Sequence, residues 1–199
     1  MALPVPVLGG PPPELRLRPW TAADAPAIAR ICADRAVAWP TSALAHPYRL
    51  DDAKGFLSWL RHSPATLCWC IELEGEVAGC ISATLTPTHG RADLGYWLER
   101  RRWGQGQMTA AARLVMAHLQ TVDGLRKVTA RALLGNVGSW RVMEKLGLER
   151  EGVLRGHILH RGVAADLVVY GKLLEPAGLS PDGRRRSEHT LGAGGHNPS

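Results

Sequence analysis

The run Ala92-Asp93-Leu94-Gly95-Tyr96-Trp97-Leu98 leads, through Glu99 and Arg100, into Arg101-Arg102-Trp103-Gly104-Gln105-Gly106-Gln107-Met108, and a helix-like run, Thr109 to Leu119, leads out. A strand, a glycine turn and a helix start together make a construction for holding an anion. Glycine lets the backbone turn sharply and approach a ligand closely. The first N–H groups of a helix have no partner inside it, and the helix dipole favours negative charge at that end. Arg100, Arg101 and Arg102 add positive charge beside the turn. The spacing is not the six-position dinucleotide fingerprint, and no Lys-Ser/Thr follows, so the Walker loop is excluded as well.

At 199 residues the chain is long enough for one domain with a sizeable core, and 45% hydrophobic residues is ordinary for a soluble globular protein. The net charge of +6 suits an acidic ligand or partner, or simply a solvated basic surface. MALPVPVLGGPPP has no positive n-region and no long apolar stretch, so it does not read as a signal peptide. No run approaches the roughly 18 apolar residues that a bilayer span needs. A cytoplasmic, non-membrane protein is expected. Cys32, Cys68, Cys70 and Cys80 sit in apolar runs rather than in a disulfide framework.

Residues 1–13 are Pro/Gly-rich and are expected to be disordered or loosely docked. Leu15 to Arg18 alternates as a first strand, Thr21 is a plausible N-cap, and the helix after it ends before Trp39-Pro40. The loop 38–50 offers Trp39, His46 and Tyr48 as substrate contacts, or as packing. Asp51 is expected to cap a second helix. Thr66 to Leu73 and Glu76 to Leu85 read as a hairpin, with Arg91 to Leu98 as the third strand of a meander. Met108, Ala111, Ala112, Val115 and Leu119 recur at helical spacing, so one face of that helix is buried. A strand over Leu125–Leu133, a short helix over Trp140–Leu146 and two strands, Leu148–Ile158 and Ala164–Leu174, complete the domain. The residues after 175, with Arg184-Arg185-Arg186, read as a disordered basic tail. The order implies a mixed sheet with helices on its faces, an α+β or α/β three-layer domain of residues 14–175 between tails 1–13 and 176–199.

Gly95-Tyr96-Trp97-Leu98, the Arg101-x-x-Gly104-x-Gly106 turn, and Asn136-x-x-Ser139 followed by Met143-Glu144-Lys145-Leu146-Gly147-Leu148 resemble the GNAT superfamily of acetyl-CoA-dependent N-acetyltransferases. Glu151-Gly152, Leu154-Arg155, Gly162, Asp166 and Tyr170 resemble the ending of its RimJ/RimL branch, which acetylates protein N-terminal amines, notably on ribosomal proteins. The resemblance implies a mixed, mostly antiparallel twisted sheet flanked by helices. It implies acetyl-CoA as co-substrate, with Arg101, Gly104, Gln105, Gly106, Gln107 and Met108 around the coenzyme A pyrophosphate. Leu98 would pair with the pantetheine arm, Asn136 would hydrogen-bond it, Trp140 would run beside the cofactor, and Lys145 would meet a phosphate. The branch often carries Glu four residues after the second glycine. Ala110 stands there in this chain, so no carboxylate role falls on that helix.

Direct transfer requires a neutral amine, a stabilised carbonyl oxygen and a leaving thiolate. At pH 7 roughly one α-amine in ten is neutral, against fewer than one lysine in a thousand, so an α-amine demands less of a base. Asp93 is the candidate base, acting through water or with a raised pKa, and its alternative is an ordinary exposed strand residue. Ser139 is the candidate to protonate the thiolate, and it also reads as the N-cap of the helix at Trp140. A backbone N–H near Leu98 or Glu99 would stabilise the carbonyl oxygen. No metal is expected, since Cys68 and Cys70 lack further ligands nearby and His157 and His160 face opposite sides of a strand. The resulting reading is transfer of acetyl to the α-amine of a protein or peptide, a ribosomal protein included. The alternatives are a small-molecule N-acetyltransferase and a non-catalytic acyl-CoA-binding module. Neither a nucleic-acid nor a membrane partner is expected, and the chain reads as a monomer or homodimer.

Overall fold

The structure, a computed structural model, describes residues 4–10, 14–41 and 44–174. Eight strands form one sheet: β1 (Leu8–Gly10), β2 (Leu15–Pro19), β3 (Thr66–Leu73), β4 (Glu76–Thr86), β5 (Arg91–Leu98), β6 (Lys127–Leu133), β7 (Glu149–His160) and β8 (Val163–Leu173). The helices are α1 (Ala25–Ala33), α2 (Arg35–Ala38), α3 (Leu50–Arg61), α4 (Gln107–Leu119) and α5 (Val137–Lys145). The strand order is β1-β2-β3-β4-β5-β6-β8-β7. Every neighbouring pair is antiparallel except β5–β6, which α4 connects as a crossover.

Side-chain alternation divides the protein into layers. On β5, Ala92, Leu94 and Leu98 join the core under α4 and α5, with Val115, Leu119 and Met143. Trp97, of opposite parity, packs with the second cluster, where Ile28 and Cys32 of α1 meet Ala53 and Leu57 of α3. Met108, Ala111, Ala112, Val115 and Leu119 are all buried, as their spacing requires. The interior strand β3 is buried on both faces, and its Trp69 is fully enclosed, with Nε1 donating to the Pro6 carbonyl at 2.8 Å.

That bond belongs to the first correction. A loose segment through residue 13 does not hold at Leu8–Gly10, which pairs with β2 in register Leu8↔Leu17. Alternation cannot show a three-residue edge strand containing two glycines. Asp51 is not the cap of α3. The N-cap is Arg49, and the Asp52 carboxylate accepts from the Arg49 N–H at 2.7 Å, so the carboxylate sits at the third helical position. α5 begins at Val137, three residues early, because Asn136 caps it through Ser139 N–H. Residues 176–199, with the Arg184–Arg186 run, lie outside the described residues.

A partly buried ionic cluster joins β2 and β3 to the start of α1. Arg18 donates both Nη atoms to Asp24, at 2.9 and 2.8 Å, and Nε to Glu72 at 2.6 Å. Thr21 adds its N–H and hydroxyl to Asp24 Oδ2. Burial pushes the Asp24 carboxyl up, but the Arg18 and Thr21 hydrogen bonds outweigh it and hold the carboxyl below its ordinary range. A carboxylate depressed in the folded state stabilises above its unfolded pKa of about 3.9, and that stability is lost as pH falls through the folded value. Asp24→Asn should therefore cost roughly 2–3 kcal/mol at pH 7 in chemical denaturation. The gap should shrink once the pH drops below about 4, and a gap independent of pH would show that the charge plays no part.

Candidate active site

β5 and β6 pair only over Arg91↔Lys127 to Leu94↔Ala130, although β5 continues to Leu98 and β6 to Leu133. The strands diverge beyond Leu94, and the sheet opens there. Glu99 N–H donates to the Ala78 carbonyl at 2.8 Å, in line with the Gly79↔Leu98 register. Antiparallel pairing alternates, so Tyr96 and Leu98 turn their backbone groups toward the opening. The Leu98 carbonyl is taken by Trp103 Nε1, which donates to it at 2.8 Å. The Leu98 N–H and the backbone of Tyr96 have no strand partner on that side. Glu99 N–H, engaged with Ala78, is not free to stabilise a carbonyl oxygen.

A cleft of about 370 Å³ fills the opening and reaches the start of α4. Gly104 and Gly106 take left-handed φ of 74° and 76°, and a Cβ on either would meet nothing within 4 Å. Both glycines are thus demanded by backbone conformation, and both leave the turn bare toward the cleft. Gly106 is the N-cap of α4 and supplies no side-chain cap, so first-turn N–H groups stay available. Arg102, Arg141 and Lys145 line the cleft, and among the described residues no Asp or Glu lines it.

The placement of the sequence candidates follows. Leu98, Gly104, Gly106, Gln107, Met108, Asn136, Ser139 and Lys145 line this cleft, while Arg101 and Gln105 do not. Arg101 is turned back onto Glu99 and Glu76, at 2.6 and 2.7 Å. Glu99 also holds Arg30 of α1, so this network fastens the turn to the second layer. Gln105 donates to the Arg101 carbonyl at 2.8 Å and shapes the loop from within. Arg102, one residue on, lines the cleft while its Nη2 donates to Glu74 at 2.8 Å. Trp140 packs against the core and does not line the cleft.

A second cavity of about 930 Å³ lies on the α1/α3 side. Both spaces are lined by Pro40, Thr41, Tyr96, Trp97, Asn136 and Ser139, so they meet at these residues. Tyr96 Oη donates to the Ser139 carbonyl at 3.1 Å, and burial pushes the phenol up to about 12. It keeps its proton at neutral pH, and sequence reasoning did not single it out. Its signal is parity: three residues from Asp93 on one strand, it must point to the opposite face. Asn136 accepts from Ser139 N–H at 3.2 Å and donates to the Pro40 carbonyl at 3.3 Å, tying the loop after α2 to the start of α5.

Asp93 lines the second cavity only. Its carboxylate accepts from the Thr129 hydroxyl and ion-pairs with Arg91 at 3.4 Å. It lies about 10 Å along β5 from Tyr96. Tyr48 also lines the second cavity, whereas Trp39 and His46 line neither. His157 faces the same cavity, while His160 packs edge-on against Trp39. Cys68 and Cys80 are buried in its floor, with sulfurs 3.5 Å apart. No group of three or more His, Cys, Asp or Glu among the described residues is arranged to hold a metal.

Residues 14–149 match the family model described as "Acetyltransferase (GNAT) domain". The chain belongs to the GNAT acetyltransferase family. A second GNAT likeness is to a candidate acetyltransferase from T. thermophilus. That crystal structure superposes with a TM-score of 0.75 at 32% identity, over 87% of this chain and 91% of that one. Mycobacterium smegmatis RimJ, solved with a CoA disulfide, superposes with a TM-score of 0.74 at 25% identity, over 85% and 86% of the two chains. YdaF of Bacillus subtilis (strain 168), described as a candidate ribosomal N-acetyltransferase, is 33% identical over 101 residues, which is 50% of this chain and 55% of YdaF. The matches span about half the length of the curated GNAT relatives.

Gly106→Ala places a Cβ on a left-handed backbone and should cost about 1–2 kcal/mol. Thermal melts should show a midpoint lowered by roughly 2–8 °C. An unchanged midpoint would mean that the turn relaxes without strain.

Proposed function

We propose that this protein transfers an acetyl group from acetyl-CoA to a primary amine held in the second cavity. The finer reading is that the amine is the N-terminal α-amine of a protein or peptide. One observation carries the reaction: a cationic cleft and a carboxylate-bearing cavity meet at Tyr96 and Ser139.

The residues present fit the coenzyme. Free N–H groups at the start of α4, with Arg102, Arg141 and Lys145, would hold its phosphates. The unpaired backbone of Tyr96 would hold the amide-bearing arm as an added strand edge does. Acetyl-CoA bound there supplies an activated thioester. The Leu98 N–H is the backbone donor left to stabilise a developing oxyanion. Tyr96, with its proton resting on the Ser139 carbonyl, and the Ser139 hydroxyl are the donors at the junction. Asp93 draws a cationic amine inward and takes its proton through water, since it stands too far along β5 for direct contact.

The likeness to YdaF supports a protein substrate, with ribosomal proteins as the suggested partners. A second reading, a small cationic amine, is favoured by the cavity's own charges. Asp51, Asp52 and Asp93 line it against Arg131, so it attracts cations of any size.

Acetyl-CoA turnover should be measured against peptides with varied first residues and against a panel of small amines. Turnover of peptides is expected, and turnover confined to small amines would sink the protein-substrate reading. Tyr96→Phe, Ser139→Ala and Asp93→Asn should each lower kcat by about a hundredfold or more, within the range ascribed to one proton-transfer group. Coenzyme A affinity should stay within about threefold. Loss of coenzyme binding instead would make the altered residue structural.

A further inference from the structure

α3 presents two rows of residues to the second cavity. Asp51, Gly55 and Trp59 stand four apart, and Asp52 and Phe56 run beside them. Residues at this spacing share one helix face. Gly55 is the anomaly in the row. It lies in the middle of a twelve-residue helix, where glycine weakens the helix relative to alanine. Its φ is not positive, so conformation does not require it. A Cβ there would meet no described residue within 4 Å, so close packing among the described residues does not require it either. The helix is bare at the point where it forms the cavity wall.

The residues around this gap are aromatic. Trp59, 53% exposed, stacks on Phe56 with centroids 6.3 Å apart. Phe56 meets Trp20 edge-on at 6.1 Å, and Trp20 lies 6.2 Å from Trp97, which lines both cavities. Phe56, Trp59 and Trp97 line the cavity between solvent and the junction, and Trp20, behind them, joins Phe56 to Trp97. Exposed indole surface over a bare stretch of helix suits a flat apolar group, which stacks on the rings and lies against backbone where a side chain would have stood. The lining carboxylates suit the cationic amine that such a group would carry.

We propose that Gly55, with Phe56 and Trp59, forms the subsite for a planar apolar side chain of the acceptor. The protein therefore selects amines bearing an aromatic ring close to the nitrogen, such as a peptide whose first residue is Phe, Tyr or Trp. The proposal rests on the second cavity being the acceptor site, and its test does not depend on turnover. Phenylalaninamide and glycinamide are titrated calorimetrically into the protein saturated with coenzyme A. Phenylalaninamide should bind at least tenfold more tightly. Gly55→Leu should abolish that preference, weakening phenylalaninamide at least tenfold while changing glycinamide and coenzyme A less than threefold. The melting temperature of Gly55→Leu should equal or exceed that of the parent, since leucine favours the helix and meets open space. Trp59→Ala should weaken phenylalaninamide in the same selective way. Equal binding of the two amides, or parallel weakening of both by Gly55→Leu, overturns the subsite. Selective binding without turnover of any amine would instead overturn the acetyltransferase reading and leave the subsite standing.

Discussion

Every functional feature of this protein depends on one unmade set of hydrogen bonds. β5 and β6 pair for four residues and then part, while each strand stays anchored on its other side, β5 to β4 and β6 to β8. An interior sheet position with unpaired backbone is costly unless something else bonds it. Here Trp103 satisfies the Leu98 carbonyl, and the remaining donors and acceptors face a cleft. The opening also lets α5 begin beside Tyr96, which ties Ser139 to the central strand.

The two cavities joined by this opening differ in charge, and the difference has a structural cause. At the turn, Arg101 and Arg102 are sorted by their partners. Arg101 is neutralised by Glu99 and Glu76, and Arg102 reaches Glu74 while still lining the cleft. Across the sheet, Asp51 and Asp52 occupy the first turn of α3, where the dipole favours carboxylates. The same feature that starts the helix gives the second cavity its negative rim. The bare turn at α4 and the carboxylate rim at α3 thus both come from ordinary helix-start chemistry, on opposite layers.

Much of this was legible without coordinates. The meander, the crossover helix and its buried face followed from alternation and helical spacing, because both are local consequences of backbone geometry. The glycine turn was legible because glycine alone takes the left-handed angles found at 104 and 106 without steric cost. Partners distant in sequence were less legible. Ser139 looked like a helix cap until Asn136 took that role, and Arg101 looked like a phosphate ligand until two glutamates claimed it. The short edge strand Leu8–Gly10 carried no periodic signal, and its partner β2 alone reveals it.

By itself the sequence determined the family, the layers, the glycine turn with its helix start and the strand that carries Asp93 and Tyr96. Those depend on residue type and on spacing within a few turns or strand lengths. Only the tertiary structure decided which arginine faces the cleft, that Asp93 lines one cavity while Tyr96 stands where the two meet, and that Gly55 leaves a gap beside Trp59. Each of those depends on what a side chain meets across the sheet or between layers, and neither residue type nor local spacing encodes that meeting.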